Sequence, residues 1–107
     1  NAMKNLNVCG IDIKIGSNEK ENHLLYDQAD KDDTWFHVDG MPSAHMWISN
    51  DKLTKAQLYQ IAIQLKKSGK YKKMNNIPIV YTQKANLIKG EKPGSILIIG
   101  KSKIINV

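Results

Sequence analysis

The residues most able to do chemistry fall in one short stretch. Asp33, Trp35, His37 and Asp39 stand at alternate positions, and Ser43, His45 and Trp47 follow at alternate positions after Gly40, Met41 and Pro42. Alternation places each set on one face of its own strand. If His37 pairs opposite His45, Trp35 meets Trp47 and the two sets share a face; a slip of one residue sends them to opposite faces. Three kinds of chemistry fit. His37, His45 and Asp39 are a possible metal set, although the sequence has no HExxH and no cysteine pair, the spacings usual for zinc. A histidine oriented by Asp33 or Asp39 is a possible acid–base group acting on an RNA hydroxyl or phosphate, but no nucleophile or oxyanion donor accompanies it. The same rings are also a surface on which bases stack and phosphates rest. The plain structural alternative is a core in which Trp and His satisfy each other by hydrogen bonds.

A second grouping carries charge. Lys66, Lys67, Lys70, Tyr71, Lys72 and Lys73 lie close together, with Lys84, Lys89 and Lys92 further on. Positions 1 to 51 hold 4 Lys and 9 Asp or Glu, a net of −5, and positions 52 to 107 hold 12 Lys and 1 Glu, a net of +11. All sixteen cationic side chains are lysine. Lysine suits phosphate as a point charge, whereas the fork that reads guanine edges belongs to arginine. The expectation is contact with a nucleic-acid backbone, weak in sequence preference and steep in salt dependence. The competing reading is a solvated helix end whose lysines complement the helix dipole.

No cofactor is implied. Lys89 to Gly94 lacks the second half of a P-loop and reads as a turn between strands. No apolar run approaches a membrane span, and no amphipathic basic helix suggests a membrane surface. At 107 residues the chain fits one domain. Asn1 and Ala2 read as a cloning remnant, leaving 3 to 107 as the domain, expected in the cytoplasm. Cys9, the single cysteine, reads as a small buried hydrophobe.

The elements that must position these groups are legible from periodicity. Val8 to Ile15 alternates through Ile11, Ile13 and Ile15 and predicts a strand ending at Gly16. Asn18 and Glu21 predict a helix start, and the acidic run Asp30 to Asp33 ends that helix. Thr34 to Asp39 and Ala44 to Ser49 predict a hairpin. Thr54 with Gln57 forms a capping box, Leu53 and Leu58 take the staple positions, and Leu58, Ile61, Ala62 and Leu65 form the stripe of a second helix. Gly69 is expected to cap it in the left-handed region. Ile77 to Thr82, Ile96 to Ile99 and Ile104 to Val107 predict at least three further strands. The fold class is α+β: a mainly antiparallel sheet with two helices packed on it, in the order β-α-β-β-α-β-β-β.

Together these runs resemble the NFACT-R family, a predicted RNA-binding module. The likeness rests on Asp33 to Asp39 (DTWFHVD), Ser43 to His45 (SAH), Gly16 and Asn22 before them, Lys73 to Thr82 (KMNNIPIVYT), and Lys92, Pro93 and Gly94 (KPG). It is strongest to the coiled-coil domain-containing protein 25 group. By this resemblance Asn22, Asp33, Trp35, His37, Ser43 and His45 are motif positions, while His23 departs from an acidic residue. The resemblance implies RNA (tRNA or rRNA) or DNA as partner, and the ribosome for larger quality-control relatives. The sequence contains neither the coiled coil nor the NFACT-N and helix-hairpin-helix regions of those relatives, so functions resting on them are not carried over. The leading expectation is a non-catalytic module that binds RNA. The alternatives are an RNA-processing or RNA-modifying enzyme using His37 and His45, and a module that docks on protein.

Overall fold

The computed structural model describes residues 3–49 and 52–107, so the reading of Asn1 and Ala2 lies outside the described residues. In chain order the elements are β1 (Lys4–Val8), β2 (Ile11–Gly16), α1 (Glu19–Gln28), β3 (Thr34–Val38), β4 (His45–Ile48), α2 (Lys55–Lys67), β5 (Pro78–Gln83), β6 (Leu87–Lys89), β7 (Ile96–Ile98) and β8 (Lys103–Asn106). A six-stranded antiparallel sheet runs β1-β2-β4-β3-β5-β8, and β6 pairs with β7 as a separate hairpin. The α+β class stands.

The two faces of the sheet bury different material. Ile11, Ile13 and Ile15 of β2, Phe36 and Val38 of β3, Met46 and Ile48 of β4 and Ile79 of β5 join Ile61, Ala62 and Leu65 of α2 in one cluster. Fully burying each of these large side chains contributes about 1.5–3 kcal/mol, so the α2 face holds most of the core. On the opposite face Trp35, Trp47 and Val80 meet Leu25 of α1 and Leu87 of β6. Strand alternation thus divides Trp35 and His37 from Phe36 and Val38.

Both helices start as their caps dictate. Thr54 Oγ1 accepts from the Gln57 N–H at 3.1 Å and Gln57 Oε1 accepts from the Thr54 N–H at 3.0 Å. Asn18 Oδ1 accepts from the Glu21 N–H at 2.9 Å, while the Glu21 carboxylate accepts from Ser17 N–H rather than from Asn18. Helix α1 stops at the acidic turn, where Asp33 Oδ2 takes the Asp30 N–H at 2.9 Å.

Several local expectations are corrected. The expected strand from Val8 to Ile15 is the turn and second arm of a hairpin, since Cys9 and Gly10 take φ of 55° and 76° and Val8 pairs with Ile11. Positive φ at both central residues is the turn that suits a two-residue hairpin. Cys9 is therefore exposed at a tip instead of buried. Helix α2 leaves through Ser68 in the right-handed region, with no left-handed Gly69; Asn76 takes a positive φ further on. Strand β6 was not expected, because its three residues Leu87–Lys89 are too few to show a period.

Candidate nucleic-acid interface

The register is the one that unites the motif. Trp35 pairs with Trp47 and Phe36 with Met46. The same register brings His37 across from His45, with ring centroids 4.8 Å apart at 84°. Trp35 stacks on His37 at 5.4 Å and meets the edge of His45 at 5.6 Å.

Hydrogen bonds then settle what each ring can do. Trp35 Nε1–H donates to His45 Nδ1 at 3.1 Å, so neutral His45 carries its proton on Nε2. His37 Nδ1–H donates to the Val38 carbonyl at 2.6 Å, leaving its lone pair on Nε2. Burial pushes the His45 pKa down to about 3, helped by neighbouring His37 and His23. Burial lowers His37 as well, against the opposing pull of the Val38 carbonyl and Asp39. Both rings are neutral at pH 7. Among the described residues no three His, Cys, Asp or Glu side chains gather as a metal set.

The remaining motif residues hold turns and contacts. Ser43 Oγ accepts from the Val38 N–H at 3.0 Å and donates to the Ala44 carbonyl at 2.8 Å, closing the β3–β4 connection. Asp33 serves the acidic turn. Asn22 is one of the buried residues of α1, and its Oδ1 has no hydrogen-bond partner among the described residues. A Cβ on Gly16 would lie 2.5 Å from that oxygen, which accounts for glycine at the end of β2. His23 Nε2–H donates to the Ser95 carbonyl at 3.2 Å, tying α1 to the β6–β7 loop. In the same loop Gly94 has φ of 78° and its Cα faces Glu19 so closely that a Cβ would come within 2.7 Å of the Glu19 Cα. The KPG turn is therefore a docking point for α1.

The structure separates the cationic candidates. Lys66 is buried and its ammonium donates to the Met74 carbonyl at 3.0 Å. Tyr71 is buried, with its hydroxyl donating to the Pro42 carbonyl at 2.8 Å. Lys84 donates to the Ala29 carbonyl at 2.7 Å and sits 4.6 Å over the Tyr26 ring. Lys89 pairs with Asp27 at 2.7 Å and also faces Tyr26. That ion pair lowers the Asp27 carboxyl below its ordinary range. Lys67, Lys70, Lys72, Lys73 and Lys92 are exposed, Lys92 on the β6–β7 loop and the other four at the end of α2 and in its connector.

One groove joins the two groupings. A cavity of about 380 Å³ between the end of α2 and the β3–β4 turn is lined by Pro42, Ser43, Ala44, Ser68, Lys70 and Tyr71 among others. The Tyr71–Pro42 hydrogen bond joins two of its lining residues. Ser68 is a lining residue that no sequence pattern marks: it reaches the groove only because the chain turns there as α2 ends.

The NFACT protein RNA-binding domain matches residues 5–106, and the chain belongs to that family. Among its relatives, coiled-coil domain-containing protein 25 of Danio rerio is 38% identical over 85 residues, covering 72% of this chain and 41% of the relative. The Rqc2 homolog RqcH of Bacillus subtilis (strain 168) is 28% identical over 90 residues, covering 81% of this chain and 16% of the relative. The chain thus spans less than half the length of either relative. The solved C-terminal part of the fibronectin/fibrinogen-binding protein from Streptococcus suis has the same fold, with a TM-score of 0.85 at 23% identity over 98% of this chain and 44% of that one. Among the described residues no helix is long and apolar enough to cross a membrane.

Proposed function

We propose that this domain is a non-catalytic RNA-binding module that holds the phosphate backbone with Lys67, Lys70, Lys72 and Lys73 along the groove beside Ser43. The observation that carries the reading is the groove itself, where Lys70 of the connector and Ser43 of the family motif line one cavity, with Lys67, Lys72 and Lys73 exposed on the adjoining chain. Family membership favours RNA over DNA as ligand. Likeness to an Rqc2 homolog favours tRNA or rRNA in ribosome quality control as the setting. Lysine contacts of this kind grip phosphate without reading sequence. In this reading His37 and His45 are a neutral, hydrogen-bonded pair packed with Trp35. They do no turnover, in keeping with a family described by RNA binding. Lys66 and Tyr71 act structurally, and Lys84 and Lys89 hold α1.

The test is fluorescence anisotropy with labelled tRNA, single-stranded RNA and duplex DNA across a salt series. The wild-type chain is expected to show a steep negative slope of log K against log salt. A Lys70→Ala, Lys72→Ala, Lys73→Ala variant is expected to flatten that slope on single strands by about 2, at roughly 0.7 for each phosphate that is no longer neutralised. Unchanged affinity and slope in the variant would overturn the assignment.

A further inference from the structure

A second cavity lies at the other end of the sheet. It encloses about 470 Å³ between the end of β5 and the loop that enters β8, lined by Thr34, Tyr81, Gln83, Asn86, Lys101 and Lys103 among others. Thr34 opens β3 and Val38, beside Ser43, closes it. Four residue steps of about 3.3 Å place the two grooves roughly 13 Å or more apart.

The floor of this cavity is built. Asn86 Nδ2–H donates to Thr82 Oγ1 at 2.9 Å, and the Thr82 hydroxyl donates to the Lys101 carbonyl at 2.6 Å. Ile99 N–H donates to the Asn86 carbonyl at 2.8 Å. Gly100 lies so near Asn86 that a Cβ there would come within 2.2 Å of its Oδ1. The loop carrying Lys101 is therefore fixed before any ligand arrives. Lys101 and Lys103 are exposed, and among the described residues neither ammonium has an ion-pair partner. Tyr81 is half-buried, stacked on Phe36 at 5.5 Å and 20°, so its ring is held in place.

The chemistry is that of one nucleotide. Two ammonium groups supply point charges for a phosphate. The Tyr81 ring and the alkyl stems of the lysines supply apolar surface for a base. Gln83, whose Nε2–H donates to the Asp32 carbonyl at 3.4 Å, offers its amide oxygen, and Thr34 its hydroxyl, to base edges or a 2′-hydroxyl. The volume falls in the range of roughly 300–1,000 Å³ typical of small-molecule sites. We propose that this cavity takes a single unpaired ribonucleotide of the bound RNA, with its phosphate on Lys101 and Lys103 and its base against Tyr81. The proposal rests on the RNA-binding reading above and adds a preference that the lysine connector does not supply. A base within a duplex is stacked and paired and cannot enter.

The experiment compares a single-stranded oligoribonucleotide with a blunt-ended RNA duplex. A Lys101→Ala, Lys103→Ala variant is expected to bind the single strand about tenfold more weakly, as removal of a stacked base with its phosphate anchor predicts, and the duplex within about twofold of wild type. Tyr81→Leu is expected to give the same selective weakening without changing the salt slope. Should that variant fail to fold, amide shift mapping of the wild-type chain replaces it: signals of Gln83 and Lys101 to Lys103 are expected to move with the single strand and stay with the duplex. Equal weakening on both ligands, or none on either, overturns the proposal. The RNA-binding reading fails separately, when the triple variant at Lys70, Lys72 and Lys73 binds both ligands like wild type.

Discussion

Trp35 and His45, ten residues apart in the chain, meet in the sheet interior through an indole N–H donated to an imidazole lone pair at 3.1 Å. The bond fixes the tautomer of His45 and satisfies two polar atoms that β3 and β4 bury together. It makes the histidine motif a hydrogen-bonded part of the fold, and it gives that part a pH dependence.

The folded chain should lose stability as pH falls below 6.5. His45 titrates near 6.5 when unfolded and at about 3 when folded. Between those values the unfolded state takes up a proton that the folded state refuses, so the stabilisation is complete above pH 6.5 and is lost on the way down to 3. The slope is up to about 1.4 kcal/mol per pH unit for one histidine, and His37 is shifted in the same direction. Urea midpoints across this range should fall in the wild-type chain and fall less in His45→Gln.

Trp35→Phe keeps an aromatic ring and removes the donor. Leaving the buried His45 acceptor unpaired should cost about 1–3 kcal/mol in urea unfolding, with RNA affinity at neutral pH unchanged. A large drop in affinity at intact stability would place the pair in the binding surface itself.

Lys66 and Lys67, adjacent in sequence, should behave oppositely. Lys66→Met removes the bond to the Met74 carbonyl and should destabilise by about 1–2 kcal/mol while leaving the salt slope alone. Lys67→Met should change stability by less than about 0.5 kcal/mol and flatten the slope on single strands by about 0.7. Parallel unfolding and salt titrations of the two variants decide it.

Gly94→Ala should destabilise by about 1–3 kcal/mol, because a Cβ meets both an unfavourable backbone region and the Glu19 backbone. The effect should appear in chemical unfolding, with protection of α1 amides against exchange reduced first.

Much of the fold was legible because its signals are local. The Thr54–Gln57 capping box and the Ile61, Ala62, Leu65 stripe act within a few residues, and the structure places them as read. The first hairpin was not, since the phase slip between Val8 and Ile11 is a single residue and the turn uses Cys9 at a φ that side chains seldom adopt.

The sequence by itself determined the charge division, the α+β order and the motif residues, all properties of composition and short-range spacing. Only the tertiary structure decided which of those residues are exposed and which are buried. Lys66 and Lys67 are one position apart, which on a helix turns one toward the Met74 carbonyl and the other to water. His37 and His45 share a face only because β3 and β4 settled into the register that pairs Trp35 with Trp47. Lys101 and Lys103, unremarkable in the sequence, join Tyr81 because β8 pairs with β5 across the intervening β6–β7 hairpin. Register and helical phase are set by burial of the whole core, a constraint that no single segment carries.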